Sequence, residues 1–110
     1  MRGRDAIPPG TLDMLILKTL VRGGEMHGFE IAEAIRQHSE DVLQVEEGSL
    51  YPALQRMLMK GWLTGEWSKT GEGRRARYYQ ATPEGRRRLE SELESYYRVA
   101  RAIAQVLVAE

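Results

Sequence analysis

Apolar residues recur along the chain first at helical spacing, then at strand spacing, then at helical spacing again. From Thr11, which suits a helix N-cap, Leu12, Leu15, Ile16 and Leu20 repeat at helical intervals, and Met14, Leu17 and Val21 make the other side apolar too. Gly23-Gly24 ends this segment. A helix that is apolar nearly all round must be buried on more than one side, and in so short a chain the expected extra cover is a second subunit. A second helix is predicted from about His27 to Ser39, with Ile31, Ala32 and Ile35 inward and Glu30, Glu33, Arg36 and Gln37 outward. Gly48-Ser49 is predicted to open a third helix, with Ser49 as its cap and Pro52 in its first turn, where a missing N–H breaks no intrahelical bond. Leu50, Leu54, Met57 and Leu58 form its inner stripe and Gly61 stops it, so Ser49, Pro52, Gln55, Arg56 and Met59 fall on the other side.

Two strands are then predicted, Trp62–Ser68 and Arg74–Ala81, joined by Lys69-Thr70-Gly71-Glu72-Gly73 as a flexible hairpin tip. Thr82 caps a last helix with Pro83 at its first position. Leu89, Leu93, Tyr96, Ala100, Ile103 and Leu107 step by 4, 3, 4, 3 and 4, a seam of the coiled-coil kind. At about 27 residues this helix would extend about 40 Å, too long for one small domain to cover. The chain shows no internal repeat and no dividing linker. It reads as a mobile segment over residues 1–10, a helix–helix–helix–hairpin unit over 11–81 and a C-terminal helix over 82–110. The expected class is mainly α with a small β-hairpin (α+β), in the order of a winged helix-turn-helix followed by a long helix.

A length of 110 residues fits one domain, and 42% hydrophobic with 29% charged residues fits a folded one. There is no cysteine, which excludes a disulfide framework, thiol chemistry and cysteine zinc sites. The longest runs without a charge, Gly48–Gln55 and Ala102–Ala109, are far short of the ~20 apolar residues of a membrane span. Asp13 and Lys18 interrupt the early apolar stretch, so no secretory signal is expected and the cytoplasm is the expected location. Formal net charge is zero, yet it is unevenly spread. Residues 1–47 carry five Lys/Arg and nine Asp/Glu (−4), residues 48–88 nine and three (+6), and residues 89–110 two and four (−2). Positive potential concentrated on one stretch is what a nucleic-acid binder needs, and a solvated face with counter-charges nearby is the plain alternative.

Within that stretch Arg74-Arg75-Ala76-Arg77-Tyr78-Tyr79 is the sharpest feature. In a strand Arg75 and Arg77 share one face and Arg74 the other, and arginine offers forked, permanently charged donors suited to phosphate. Arg86-Arg87-Arg88 fan out around a helix and read equally as phosphate contacts or surface charge. Trp62, Trp67, Tyr78 and Tyr79 are expected to anchor the hairpin to the core rather than stack on bases. His27 and His38 have no cysteine or spacing that suits a metal, Ser49 has no His–Asp partnership, and Glu46-Glu47 suit the positive end of the third helix. No enzyme, metal or cofactor is expected. A winged helix that binds only protein remains the rival reading, distinguished by the absence of salt-dependent DNA affinity.

Longer blocks carry a family resemblance. Gly10-Thr11-Leu12-Asp13-Met14-Leu15-Ile16-Leu17, His27-Gly28-Phe29-Glu30-Ile31-Ala32, Gly48-Ser49-Leu50-Tyr51-Pro52-Ala53-Leu54, Gly61-Trp62-Leu63 and Arg74 to Thr82 followed by Gly85-Arg86 resemble the PadR-like transcriptional regulators, over about residues 10 to 90. Phe29 stands where tyrosine is usual, and Met57-Leu58-Met59 where charged residues are common. The resemblance implies a cytoplasmic homodimeric repressor of the small subfamily with a single C-terminal helix, bound to double-stranded operator DNA. It implies Ser49, Tyr51, Pro52, Gln55 and Arg56 in the major groove, with Lys69, Arg74, Arg75 and Arg77 on the wing. Leu12, Leu15, Ile16, Leu89, Leu93, Tyr96, Ala100, Ile103 and Leu107 are then the expected dimer contacts. Some relatives release DNA on binding phenolic acids or planar drugs, so a small-molecule inducer belongs among the partners, although no residue here identifies one.

Overall fold

Helix α1 (Leu12–Gly23) is the piece on which the other elements pack, as its all-round apolar pattern requires. The computed structural model describes residues 5–109. In chain order, strand β1 (Asp5–Ala6) and α1 are followed by β2 (Met26–His27), α2 (Gly28–His38), β3 (Leu43–Gln44), α3 (Glu47–Met59), β4 (Leu63–Lys69), β5 (Arg75–Ala81) and α4 (Pro83–Val108). Ile16 and Leu17 of α1, Ile31 of α2, and Leu50, Leu54 and Met57 of α3 are fully enclosed, and Leu63, Tyr79 and Leu89 close the core from the hairpin and α4. Burying each such side chain contributes about 1.5–3 kcal/mol.

The order is that of a winged helix: three helices, then an antiparallel sheet β2-β5-β4 whose two long strands project as a wing. The expected hairpin tip is a hydrogen-bonded turn built on Thr70. Its N–H donates to the Arg74 carbonyl (2.7 Å), and its hydroxyl accepts from the N–H groups of Glu72 (3.3 Å) and Arg74 (3.2 Å). Gly73 takes the left-handed conformation (φ 83°) that closes this turn.

Several local expectations are corrected. Glu46, not Ser49, is the N-cap of α3, and the helix starts at Glu47 because the Glu46 carbonyl accepts from Ser49 and Leu50 (3.0 and 2.9 Å). Pro52 therefore sits in the second turn, where it can offer no N–H to the Gly48 carbonyl. Thr11 is at the N-cap position of α1, but its hydroxyl donates to the Pro8 carbonyl (2.8 Å) instead of accepting from the helix. The segment read as mobile over residues 1–10 carries β1, paired in parallel with β3 at Asp5–Leu43 and Ala6–Gln44; its residues 1–4 lie outside the described residues. Ile16 (0% exposed) and Leu89 (4%) belong to the protomer's own core, so neither is available as a contact to a second subunit.

Helix α4 is anchored at one end only. The Thr82 hydroxyl caps it by accepting from the Gly85 N–H (3.0 Å) and itself donates to the Gly61 carbonyl (2.7 Å), while the Thr82 N–H donates to the Trp62 carbonyl (3.0 Å). Leu89 and Leu93 then pack on the core, and from Tyr96 onward the apolar residues are mostly exposed, Leu107 at 77%. The 26-residue helix is about 39 Å long and accounts for the elongated extents of 58 × 37 × 22 Å.

The anchor depends on Gly85, where a Cβ would run into the Trp62 carbonyl oxygen and lie 3.2 Å from Leu17 Cδ2. A Gly→Ala change in an unobstructed helix stabilises by about 0.5–1 kcal/mol. Here the sign should invert: Gly85→Ala is expected to destabilise by about 1–3 kcal/mol, read as a lower midpoint in urea unfolding.

Candidate nucleic-acid interface

Tyr51 and Gln55 on the outward side of α3 meet the wing in one cleft, whereas Pro52 and Arg56 line a separate groove with Met59 and Lys60. Because α3 turns Leu50, Ala53, Leu54 and Met57 into the core, Ser49, Tyr51, Pro52, Gln55 and Arg56 all remain exposed. Tyr51 is held by its neighbour: a Cβ on Gly28, the first residue of α2, would lie 2.7 Å from the Tyr51 hydroxyl, so the bare glycine makes room for the ring. The start of α2 is itself fixed by a reciprocal cap, in which His27 Nδ1 accepts from the Glu30 N–H and the Glu30 carboxylate accepts from the His27 N–H. His27 also packs edge-on against Tyr78 of β5, at 5.3 Å between ring centres. Among the described residues there is no cluster of three His, Cys, Asp or Glu able to hold a metal.

On the wing, strand alternation sends Gly65, Trp67 and Lys69 to the same face as their partners Tyr79, Arg77 and Arg75. The inner half of that face is buried through Leu63 and Tyr79, and the outer half carries the cations. Burial pushes the Tyr79 phenol above its ordinary pKa, against the opposing pull of Arg77, so Tyr79 contributes stability that is lost as pH rises beyond the ordinary phenol range. The cleft, of about 450 Å³, is lined by Tyr51 and Gln55 from α3, by His27, Gly28 and Phe29 around the start of α2, and by Trp67, Arg74, Arg75 and Arg77 from the wing. Lys69 lies on the same wing face, opposite Arg75.

The remaining cations are differently placed. Arg56, the only basic residue of α3, pairs with Asp13 of α1 at 2.5 Å. Arg88 and Lys60 both lie over the Trp62 ring (4.8 and 4.9 Å to its centre), and Arg88 pairs with Glu92 at 2.8 Å. Arg86 and Arg87 are exposed. Trp62 and Tyr78 are half-buried and Tyr79 buried, as anchors of the hairpin should be. Trp67 is the exception: it is 59% exposed and stacked beneath Arg75 and Arg77 instead of entering the core. Neither that stacking nor the Asp13–Arg56 pair was legible in the sequence, because both depend on pairing across the fold.

The profile of the transcriptional regulator PadR-like family matches residues 16–91. The chain belongs to this family. Its members regulate transcription and are not enzymes, and the same holds for this PadR-like regulator. It is 33% identical to a transcriptional regulator of Mycobacterium tuberculosis over 79 residues, covering 72% of this chain and 70% of that one. A solved PadR family transcription regulator from Clostridium difficile superposes with a TM-score of 0.75 at 32% identity, covering 89% of this chain and 99% of the other. A solved transcriptional regulator from Clostridium thermocellum gives a TM-score of 0.79 at 27% identity, covering 87% and 92%.

A second, apolar surface runs along α1 and α4. Leu12, Leu15 and Leu93 are half-buried against the core, and Tyr96, Ala100, Ile103 and Leu107 continue the same seam along α4. A cavity of about 780 Å³ opens between α1 and α4, lined by Met14, Leu15, Lys18, Leu93, Tyr96 and Tyr97 among others. No helix among the described residues is long and apolar enough to cross a membrane.

The Asp13–Arg56 bridge is part-exposed at both ends, so its effect on stability should be small. A double-mutant cycle with Asp13→Ala and Arg56→Ala, read by urea unfolding, is expected to give a coupling of about 0.2–1 kcal/mol. The coupling should shrink as salt rises.

Proposed function

We propose that this PadR-like regulator is a sequence-specific DNA-binding protein acting as a homodimeric repressor on a pseudo-palindromic operator in the cytoplasm. The observation that carries this reading is the shared cleft, which joins Tyr51 and Gln55 of α3 to Arg74, Arg75 and Arg77 of the wing. A helix fits the major groove of B-DNA, and a hairpin beside it reaches the flanking phosphates. In this reading residues 11–81 are the DNA-binding unit, with Ser49, Tyr51, Pro52, Gln55 and Arg56 toward the groove and Lys69, Arg74, Arg75 and Arg77 toward the backbone. Gln55 has no competing partner among the described residues, whereas Arg56 must exchange Asp13 for DNA before it can reach a base.

The second half of the proposal concerns assembly. Leu12, Leu15, Leu93, Tyr96, Ala100, Ile103 and Leu107 form the surface on which a second copy packs, because exposed apolar seams of this length associate. A two-fold dimer presents two α3 helices to two half-sites, and its occupancy of those base pairs excludes other proteins from them. The cavity between α1 and α4 borders the seam, and this is where an inducer would act on the dimer.

Two measurements test the proposal. Gln55→Ala and Arg56→Ala should weaken binding to a selected operator far more than to random DNA in anisotropy titrations at one salt concentration, since a good bidentate base contact is worth about 1–3 kcal/mol. An equal loss on both DNAs contradicts the groove assignment. A chain ending at Ser95 keeps Leu89 and Leu93 in the core, so sedimentation should find it folded but monomeric. A dimer of undiminished stability would contradict the α4 seam.

A further inference from the structure

Trp67 is a large apolar ring on the outer half of an exposed hairpin, and the core makes no use of it. Its register explains the placement. Trp67 faces Arg77 directly across the antiparallel pair and Arg75 diagonally, all three on one face, with the guanidinium carbons 5.8 and 4.9 Å from the ring centre. Indole is the ring that attracts a cation most strongly, so each guanidinium is drawn over it.

A second observation concerns Arg77 alone. Gly65, two residues before Trp67 on the same face, would with a Cβ come within 2.8 Å of Arg77 Nε. Arg77 Nε therefore occupies the space that a side chain at Gly65 would take. Nε is buried there with no hydrogen-bond partner among the described residues, an arrangement that a fold rarely keeps without a reason. No carboxylate among the described residues forms an ion pair with Arg75 or Arg77, and Glu66 points from the opposite face of β4. The unspent capacity of both arginines is thus their forked terminal N–H groups, and these line the cleft beside Gln55.

We infer that Trp67 and Gly65 are positioning residues, a seat that aims Arg75 and Arg77 at a backbone phosphate of duplex DNA at the mouth of this cleft. The inference rests on the DNA-binding reading above. A phosphate matches the planar guanidinium fork and the excess of positive charge on this face. The ring keeps two flexible side chains near their bound geometry, which lowers the ordering cost of binding.

The test is anisotropy titration of one random-sequence duplex across a range of salt, with Trp67→Ala, Trp67→Phe, Gly65→Ala, Arg77→Ala and the Gly65→Ala/Arg77→Ala pair. Trp67→Ala should weaken binding about five- to tenfold, the cost of ordering two freed arginines on binding. Trp67→Phe should recover most of that loss. Neither should alter the slope of log affinity against log salt, because the number of cations is unchanged. Gly65→Ala should weaken the wild-type chain but add nothing once Arg77 is gone. Should Trp67→Ala prove unfolded, the Trp67→Phe variant and the Gly65–Arg77 cycle still decide. Wild-type affinity in Trp67→Ala, an equal loss in Trp67→Phe and Trp67→Ala, or additive losses for Gly65 and Arg77 would each overturn the seat while leaving DNA binding intact. No duplex binding by the wild-type chain would overturn both.

Discussion

The burial of α1 sets the position of everything else in this fold. Ile16 and Leu17 are fully enclosed, and even Thr19 is buried, its hydroxyl donating to the Leu15 carbonyl at 2.7 Å. Helices α2, α3 and α4 and strand β5 all pack on this one helix, so the direction of α3's outward side and the root of the wing follow from the same core. A substitution such as Leu17→Ala would act on all of them together, at a cost of about 2–5 kcal/mol. The site is thus carried by rigid elements, and its residues need little of their own stabilisation to stay in place.

The same constraint explains what the protomer leaves uncovered. Once α1 has been enclosed by its own chain, α4 contributes only its first turns, through Leu89 and Leu93, and the rest of its apolar seam stays mostly exposed. The charges divide in a comparable way. Arg36 is held between Glu33 and Asp41, at 2.7 Å from each, and Arg56 by Asp13, whereas Arg75 and Arg77 rest on an indole instead of a carboxylate. A cation stacked on a ring keeps its hydrogen-bond donors, and one paired with an acid has already used some of them. This difference, more than the count of basic residues, is why the proposed phosphate contacts fall on the wing.

Much of the architecture was readable in advance because it rests on long periodic segments. The four helices, the two wing strands and the reach of α4 all follow from spacing, from glycine stops and from the Thr82-Pro83 start. The two-residue strands β1, β2 and β3 were not readable, since so short a segment has no period. The cap of α3 was displaced from Ser49 to Glu46 because an extended residue whose carbonyl accepts the first helical bonds ends the loop sooner. Ile16 and Leu89 could not be told from interface residues by periodicity, which reports an apolar face but not what covers it. The resemblance identified the family correctly, and the candidate site residues came from it and from residue chemistry. Trp67, Gly65, Gly28 and Asp13 entered only with the three-dimensional arrangement.

In the proposed assembly two copies of this chain read duplex DNA through α3 and the wing. Hydroxyl-radical footprinting of the wild-type chain on a fragment enriched from random duplex DNA tests it most directly. Two matching sets of protected sugars related by a two-fold axis are expected on one side of the duplex, with half-site centres about 34–36 Å apart or a small multiple of that. Failure to enrich any fragment over the starting pool, or a single protected patch with no two-fold relation, would contradict it.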